Sequence, residues 1–355
     1  VADDRAGAAR EQLARHGLDA LLFLGLTNIR YLAGFTGSDG ALLVGAEGSW
    51  FLTDSRYTVQ ATAEAPHCQV REYRGKVEGV AALVSEQGWR RVGFDAEQTS
   101  VAMCSQLTEA LAGVELVPVG GELDQLRLVK DAAEIELLDR CATIASDAFL
   151  ALLPLIRAGA VERELALELE LAMRRAGAEE KSFDFIVASG VRGALPHGKA
   201  SDKRLAAGEL VTFDFGARFR GYHSDETVTV ALGPVDGRQR EIHGIVKEAH
   251  DRALAAVRPG ATARDLDGIA RGFIEEQGYG RYFGHGLGHG VGLDVHEKPV
   301  ISFRGDQVLG EGMVFTIEPG IYIPDWGGVR IEDTVVVTAA GYRLLTKVPK
   351  ELLTV

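Results

Sequence analysis

FDFGARFRGYHSD, residues 213–225, sets Asp214 and Asp225 on either side of a tight turn. Before the turn, apolar Val211, Phe213 and Phe215 alternate with Thr212, Asp214 and Gly216, the period-two pattern of a strand. After it, Asp225, Thr227 and Thr229 alternate with Glu226, Val228 and Val230 in the same way. A symmetric hairpin centred on Phe219 and Arg220 predicts Asp214 directly opposite Asp225. Cross-strand partners sit about 4.5–5.5 Å apart at Cβ, and like charges placed so destabilise a sheet. Something else must reward the arrangement.

A faint internal duplication extends the pattern. IRAGAVEREL (156–165) is similar to VRPGATARDL (257–266), and Gly177 falls where Gly278 falls. VTFDFG (211–216) is similar to FTIEPG (315–320), and DETVTV (225–230) to EDTVVV (332–337). The segments keep their order while the offset grows only from 101 to 107 residues, which leaves little room for chance. The duplication sets Glu318 against Asp214 and Glu332 against Asp225, so a second hairpin, turning near Asp325, makes Glu318 and Glu332 face each other. Buried carboxylates must be paired or must coordinate metal, and a metal cage is the simplest reason to collect four of them. GHGLGHGVGLDVHE (284–297) adds His285, His289 and His296 among glycines that permit close backbone approach. It lacks the dinucleotide-binding glycine spacing and contains no H-E-x-x-H. His197 lies 99 residues before His296, near the duplication offset, so these two histidines read as a pair flanking the cage. His16, His67, His243 and His250 stand in charged surroundings and read as solvated.

The totals narrow the class. A length of 355 residues suggests two domains. A net charge of −13 argues against nucleic acid or an anionic membrane as partner. Cys68, Cys104 and Cys141 have neither metal nor redox spacing, and an odd, sparse set suits a reducing compartment. VADDRAGAAREQL reads as a charged helix rather than a secretion signal, so a cytoplasmic location is expected. Residues 1–120 alternate strand-like runs (ALLFLG, GALLVG, RRVGFD, VELVPV) with helical ones, an α/β pattern, and Asp131 reads as the N-cap of the helix that follows. DFG at 214–216 also occurs in protein kinases, but the other kinase signatures are absent.

At FDFGARFRGYHSD, GHGLGHGVGLDVHE, FTIEPGIYI and GGVRIEDTVVV the sequence resembles the creatinase/methionine-aminopeptidase, or pita-bread, family, and within it the Xaa-Pro peptidases. The resemblance covers the C-terminal two-thirds, and the first third is similar to the smaller N-terminal domain of the same peptidases. It implies an α+β fold: a creatinase-like α/β domain over residues 1–122, then a pita-bread catalytic domain over 123–355 with a pseudo-two-fold repeat. It also implies a dinuclear metal site held by Asp214, Asp225, His289, Glu318 and Glu332, with His197, His285, His296 and Arg330 lining the substrate site. One departure is Val228, where relatives often have Arg; it is not a ligand position, so only local packing or ion pairing is affected.

Four carboxylates and one imidazole form a hard donor set that suits two divalent ions, Mn2+ ahead of Co2+ or Zn2+. Such a pair can polarise a scissile carbonyl, with Glu318 as proton acceptor and His296 and Arg330 stabilising the oxyanion or clamping substrate. His197 and His285 are expected to hold the backbone around an imide bond that has no N–H. The expected substrates are small proline-containing peptides, and the resemblance implies a homodimer. An Xaa-Pro aminopeptidase is the first reading and an Xaa-Pro dipeptidase (prolidase) the alternative. Some dipeptidases of the family carry Arg directly after H-E-x-P, where this chain has Val300, with Arg304 four residues on. A methionine aminopeptidase, a metal-free creatinase and a non-enzymatic binding protein rank lower: the first lacks a large N-terminal domain, and the others do not need all five ligands.

Overall fold

The structure, a computed structural model, describes residues 2–355. The chain divides into two units, Val1–Arg127 and Leu128–Val355. The sequence expectation puts the division at 122/123, inside the connection that ends in the short 3-10 turn Asp124–Arg127.

The first unit is built on a six-stranded mixed sheet. Its order runs Gln69–Glu72, Ser49–Thr53, Ala41–Gly45, Ala20–Phe23, Arg91–Asp95, Glu115–Val119. The three central strands, 20–23, 41–45 and 49–53, are antiparallel neighbours, and the other three join in parallel. Every residue of those central strands is buried, as befits a sheet covered on both faces. The strands at 49–53 and 69–72 are ones the sequence pattern does not single out.

The second unit repeats one arrangement twice. Helices Ala132–Leu152 and Glu162–Arg175 pack on the sheet that contains strands Leu210–Phe215 and Glu226–Ala231. Helices Gly237–Ala256 and Ala263–Glu276 do the same for strands Val314–Ile317 and Asp333–Thr338. Each half has its own core; in the first, Phe149 stacks on Phe215 with ring centroids 4.9 Å apart. Asp131 caps its helix as expected: it accepts from the Glu134 N–H at 2.9 Å, and Glu134 accepts from the Asp131 N–H at 3.0 Å.

The first hairpin corrects the expected register. Arg218 pairs with His223, Phe219 with Tyr222, and Asp214 with Thr227. The turn therefore falls on Arg220 and Gly221, one residue beyond the expected centre, with φ of 49° and 79°. Positive φ at both central residues is what a two-residue type I′ turn demands. Asp214 thus faces Thr227 and not Asp225, while Asp225, two residues before Thr227, is its diagonal neighbour on the same face. The like charges share a face without being directly opposed. The second hairpin follows the expectation: one register runs from Val314↔Val336 through Ile323↔Gly327, and carried across the gap it pairs Glu318 with Glu332.

Two histidines are corrected as well. His243 and His250 are buried, at 4% and 1% exposure, rather than solvated. They lie seven residues apart on the 237–256 helix, on the face that carries Val246 into the second core. The charged neighbours that suggested solvation occupy the other faces of that helix. The three cysteines are free thiols.

Candidate metal centre

The two hairpins present their acids to one cavity of about 940 Å³, lined entirely from the second unit. Asp214 sits on the 210–215 strand, Asp225 just before the 226–231 strand, Glu318 just after 314–317, and Glu332 just before 333–338. His289 occupies the middle of the short strand Gly288–Gly290. Its flanking glycines are there for space: a Cβ on Gly288 would lie 1.9 Å from the Thr316 carbonyl oxygen, and one on Gly290 2.0 Å from that of Lys298. Only glycine lets this backbone come close enough to aim the imidazole at the acids.

Asp225, His289 and Glu332 each offer an atom within 4.8 Å of the others. His289 Nε2 lies 3.4 Å from Glu318 Oε1 and 3.7 Å from Asp225 Oδ2. Its Nδ1 is 3.1 Å from the Gly290 carbonyl. A carbonyl can only accept, so Nδ1 carries the proton and Nε2 presents a lone pair toward the acids. The Thr227 hydroxyl donates to Glu332 Oε2 at 2.7 Å, and the Thr334 hydroxyl to the Asp225 carbonyl at 2.7 Å. Asp214 Oδ2 accepts from Arg330 at 2.6 Å, whereas its Oδ1 is buried with no hydrogen-bond partner.

Electrostatics point the same way. Burial, then repulsion from Glu332, Asp214 and Glu318, pushes the Asp225 carboxyl well above the usual range. Glu332 is raised likewise by burial, Glu318 and Asp214, and Glu318 is raised chiefly by burial. A cluster of buried acids that resist ionisation, with an orphaned carboxylate oxygen among them, fits divalent cations, which supply the missing charge and coordination.

The remaining expected residues ring this cluster. His296 lies against His289, the rings tilted by 47° with centroids 4.2 Å apart, and His197 also lines the cavity. His197 follows the 3-10 turn Gly190–Ala194, where Gly193 fits against Gly328 so closely that a Cβ on Gly328 would lie 2.1 Å from the Gly193 oxygen. His285 donates from Nδ1 to the Gly286 carbonyl at 2.8 Å, so its Nε2 accepts from the Tyr322 hydroxyl at 2.9 Å. Burial holds the His285 and His296 imidazoles below their ordinary value. Arg330 ties the arrangement together, donating to Asp214, to Thr227 Oγ1 at 3.1 Å, to Tyr322 Oη at 3.0 Å and to the Pro196 carbonyl at 3.0 Å. Tyr322 and Thr227 are participants the sequence reading misses. A signal for Tyr322 exists: it lies four residues after Glu318, hence on the same face of a strand.

Residues 5–129 match the family model of the creatinase/prolidase N-terminal domain, and residues 136–339 match that of metallopeptidase family M24. The chain belongs to metallopeptidase family M24. It is therefore a hydrolase, with a creatinase-type N-terminal domain followed in sequence by the family's pita-bread domain. The M24 chain is 39% identical over 345 residues to a Xaa-Pro dipeptidase of Pyrococcus horikoshii, covering 97% of each. Among solved structures it is similar to a Xaa-Pro dipeptidase from Bacillus anthracis (43% identity, 100% of each chain, TM-score 0.98). It is also similar to an X-Pro aminopeptidase from Thermotoga maritima (40% identity, 99% of each chain, TM-score 0.91). Among the described residues of this M24 chain, no helix is long and apolar enough to cross a membrane.

Proposed function

We propose that the protein is a Xaa-Pro dipeptidase, the reading the sequence ranked second, acting through divalent ions held by Asp214, Asp225, His289, Glu318 and Glu332. The observation that carries the reading is the convergence of these five donors, with an unpartnered Asp214 oxygen, in a chain aligned end to end with a dipeptidase. Bound there, the ions would polarise the scissile carbonyl and acidify a water. Glu318, raised by burial, is suited to take the proton from that water and pass it to the leaving nitrogen of proline. Arg330 holds Asp214 in place, and through Tyr322 it fixes His285 as a neutral ring. His296 and His197, beside the cluster, bind and orient the peptide carbonyls, which a bond without an N–H requires.

A dipeptidase also needs a cation for the substrate's terminal carboxylate. Val300 lines the cavity, and Arg304 does not; its guanidinium lies 5.1 Å from the Phe303 ring. The cations lining the cavity are Lys199, Arg281 and Arg330. Arg330 is engaged by Asp214 and Lys199 by Asp184 at 2.6 Å, whereas Arg281 bonds only the Tyr282 hydroxyl among the described residues. Arg281 is the residue assigned to the carboxylate. A charge-assisted hydrogen bond contributes about 1.5–3 kcal/mol, so a Xaa-Pro dipeptide is expected to exceed a matched tetrapeptide in kcat/KM by about tenfold or more. Arg281→Ala should raise KM for the dipeptide and leave the tetrapeptide unaffected. A tetrapeptide cleaved as well as the dipeptide would instead support the aminopeptidase reading, which the Thermotoga relative's name favours. Mn2+ remains the proposed ion, from the oxygen-rich donor set.

A further inference from the structure

The residues that follow two of the ligands form a second acidic pair. Successive side chains of a strand point to opposite faces. Asp225 and Glu332 line the cavity, so Glu226 and Asp333 point away from it, into the interior, where they are 0% and 3% exposed. Between them lies one ammonium: Lys350 Nζ is 2.6 Å from Glu226 Oε1 and 3.3 Å from Asp333 Oδ1, with its side chain only 5% exposed. Other groups crowd the same two carboxylates. Ser146 Oγ donates to Glu226 Oε2 and the Val348 N–H to Oε1, the Thr346 hydroxyl bonds Asp333, and His250 Nε2 lies 3.2 Å from Asp333 Oδ2. Burial alone would lower the Lys350 pKa, but Asp333 and Glu226 hold it above the ordinary lysine value, so the ammonium is charged.

Glu226 and Asp333 occupy equivalent places in the duplicated halves, DETVTV and EDTVVV. The strands that carry them already touch at the ligands: the Glu332 N–H donates to the Thr227 carbonyl at 3.1 Å, and the Thr334 hydroxyl to the Asp225 carbonyl. Lys350 is delivered by the C-terminal segment, which is pinned at both ends. The Leu345 N–H donates to the Thr334 carbonyl, and the Val355 N–H to that of Ala231. Without the ammonium, two buried carboxylates would repel across this junction, because breaking a buried ion pair leaves an uncompensated charge. Any splaying of the strands there widens the gap between Asp225 and Glu332, and metal affinity depends on the groups that hold the ligands in place from behind.

We propose that Lys350 is a positioning residue for the metal centre: by clamping Glu226 and Asp333 from behind, it sets the separation of Asp225 and Glu332 across the two halves. The proposal rests on the metal centre assigned above. It is tested on the full chain, stripped of metal, as wild type and Lys350→Met. Mn2+ is titrated calorimetrically, and the visible absorption of the Co2+-loaded protein reports ligand geometry. The expected result is at least tenfold weaker Mn2+ binding and an altered Co2+ spectrum in Lys350→Met. If that variant does not fold, Glu226→Gln/Lys350→Met, which removes the carboxylate repulsion together with the bridge, is expected to fold and still to bind Mn2+ more weakly than wild type, because no ion pair then ties the two strands together. Wild-type Mn2+ affinity together with a wild-type Co2+ spectrum in the folded variant, whatever its melting temperature, would overturn the proposal. A wild-type protein that binds no metal would defeat the metal-centre reading itself.

Discussion

Asp225 shows the conflict between stability and function within one side chain. It is 5% exposed and its carboxyl is pushed up by burial and by three acidic neighbours. A carboxyl whose folded pKa lies above its unfolded value lowers stability once pH exceeds the unfolded value, because only the unfolded chain ionises it freely. At neutral pH Asp225 therefore destabilises the metal-free protein. Asp225→Asn should raise the melting temperature of the metal-free protein while weakening Mn2+ binding at least tenfold, by a hard-donor argument. Scanning calorimetry with and without Mn2+ checks both halves; a variant less stable in the absence of metal would contradict the account. Residue types were the most legible layer of the sequence. The four carboxylates and the glycine-flanked histidines stand out because acids and imidazoles in such contexts have few other uses, whereas His289 as the expected fifth ligand follows only from the family resemblance. Lys350 did not stand out, since a lysine near a C-terminus reads as solvated, and its partners lie 124 and 17 positions back in the chain.

At the scale of elements, strand periodicity is legible in the sequence, whereas register is legible in the second hairpin and misses by one residue in the first. The 210–231 hairpin was legible as a hairpin, but Arg220–Gly221 is not among the Asn-Gly or Asp-Gly pairs that mark a type I′ turn, so its centre was misplaced by one residue. The 237–256 helix buries His243 and His250, which their charged neighbours in the sequence make read as solvated. That helix gives a pH prediction. Burial, with Lys247 nearby, holds the His243 imidazole down to about 4. The unfolded chain binds that proton from about pH 6.5 downward and the folded chain only near 4, so stability falls as pH drops through this window. The loss is up to about 3 kcal/mol at the bottom of the window. In His243→Leu, urea denaturation at pH 7 and pH 4.5 should show a smaller drop than wild type; an equal drop would mean that the imidazole is not held neutral.

The whole molecule is a duplication put to use. Each half supplies a helix pair, a sheet and a hairpin bearing two acids, and the site exists only where the hairpins meet. Four ordered matches between the halves made this visible in the sequence, because hairpin and helix-cap segments tolerate little change. The junction behind the ligands was invisible, since it depends on how the halves close and not on either half alone. The same architecture gathers four acidic groups around one cavity, where the Arg330 guanidinium pairs with Asp214. The central claim is that bound cations neutralise them and thereby make a Xaa-Pro dipeptidase. Its most direct test reloads metal-stripped protein stepwise with Mn2+ and follows hydrolysis of a Xaa-Pro dipeptide against bound metal. The account predicts no hydrolysis at zero metal and a plateau at about two ions per chain, the stoichiometry of a shared two-metal site. Full hydrolysis by protein shown to be metal-free, or an intact dipeptide after full loading, would contradict it.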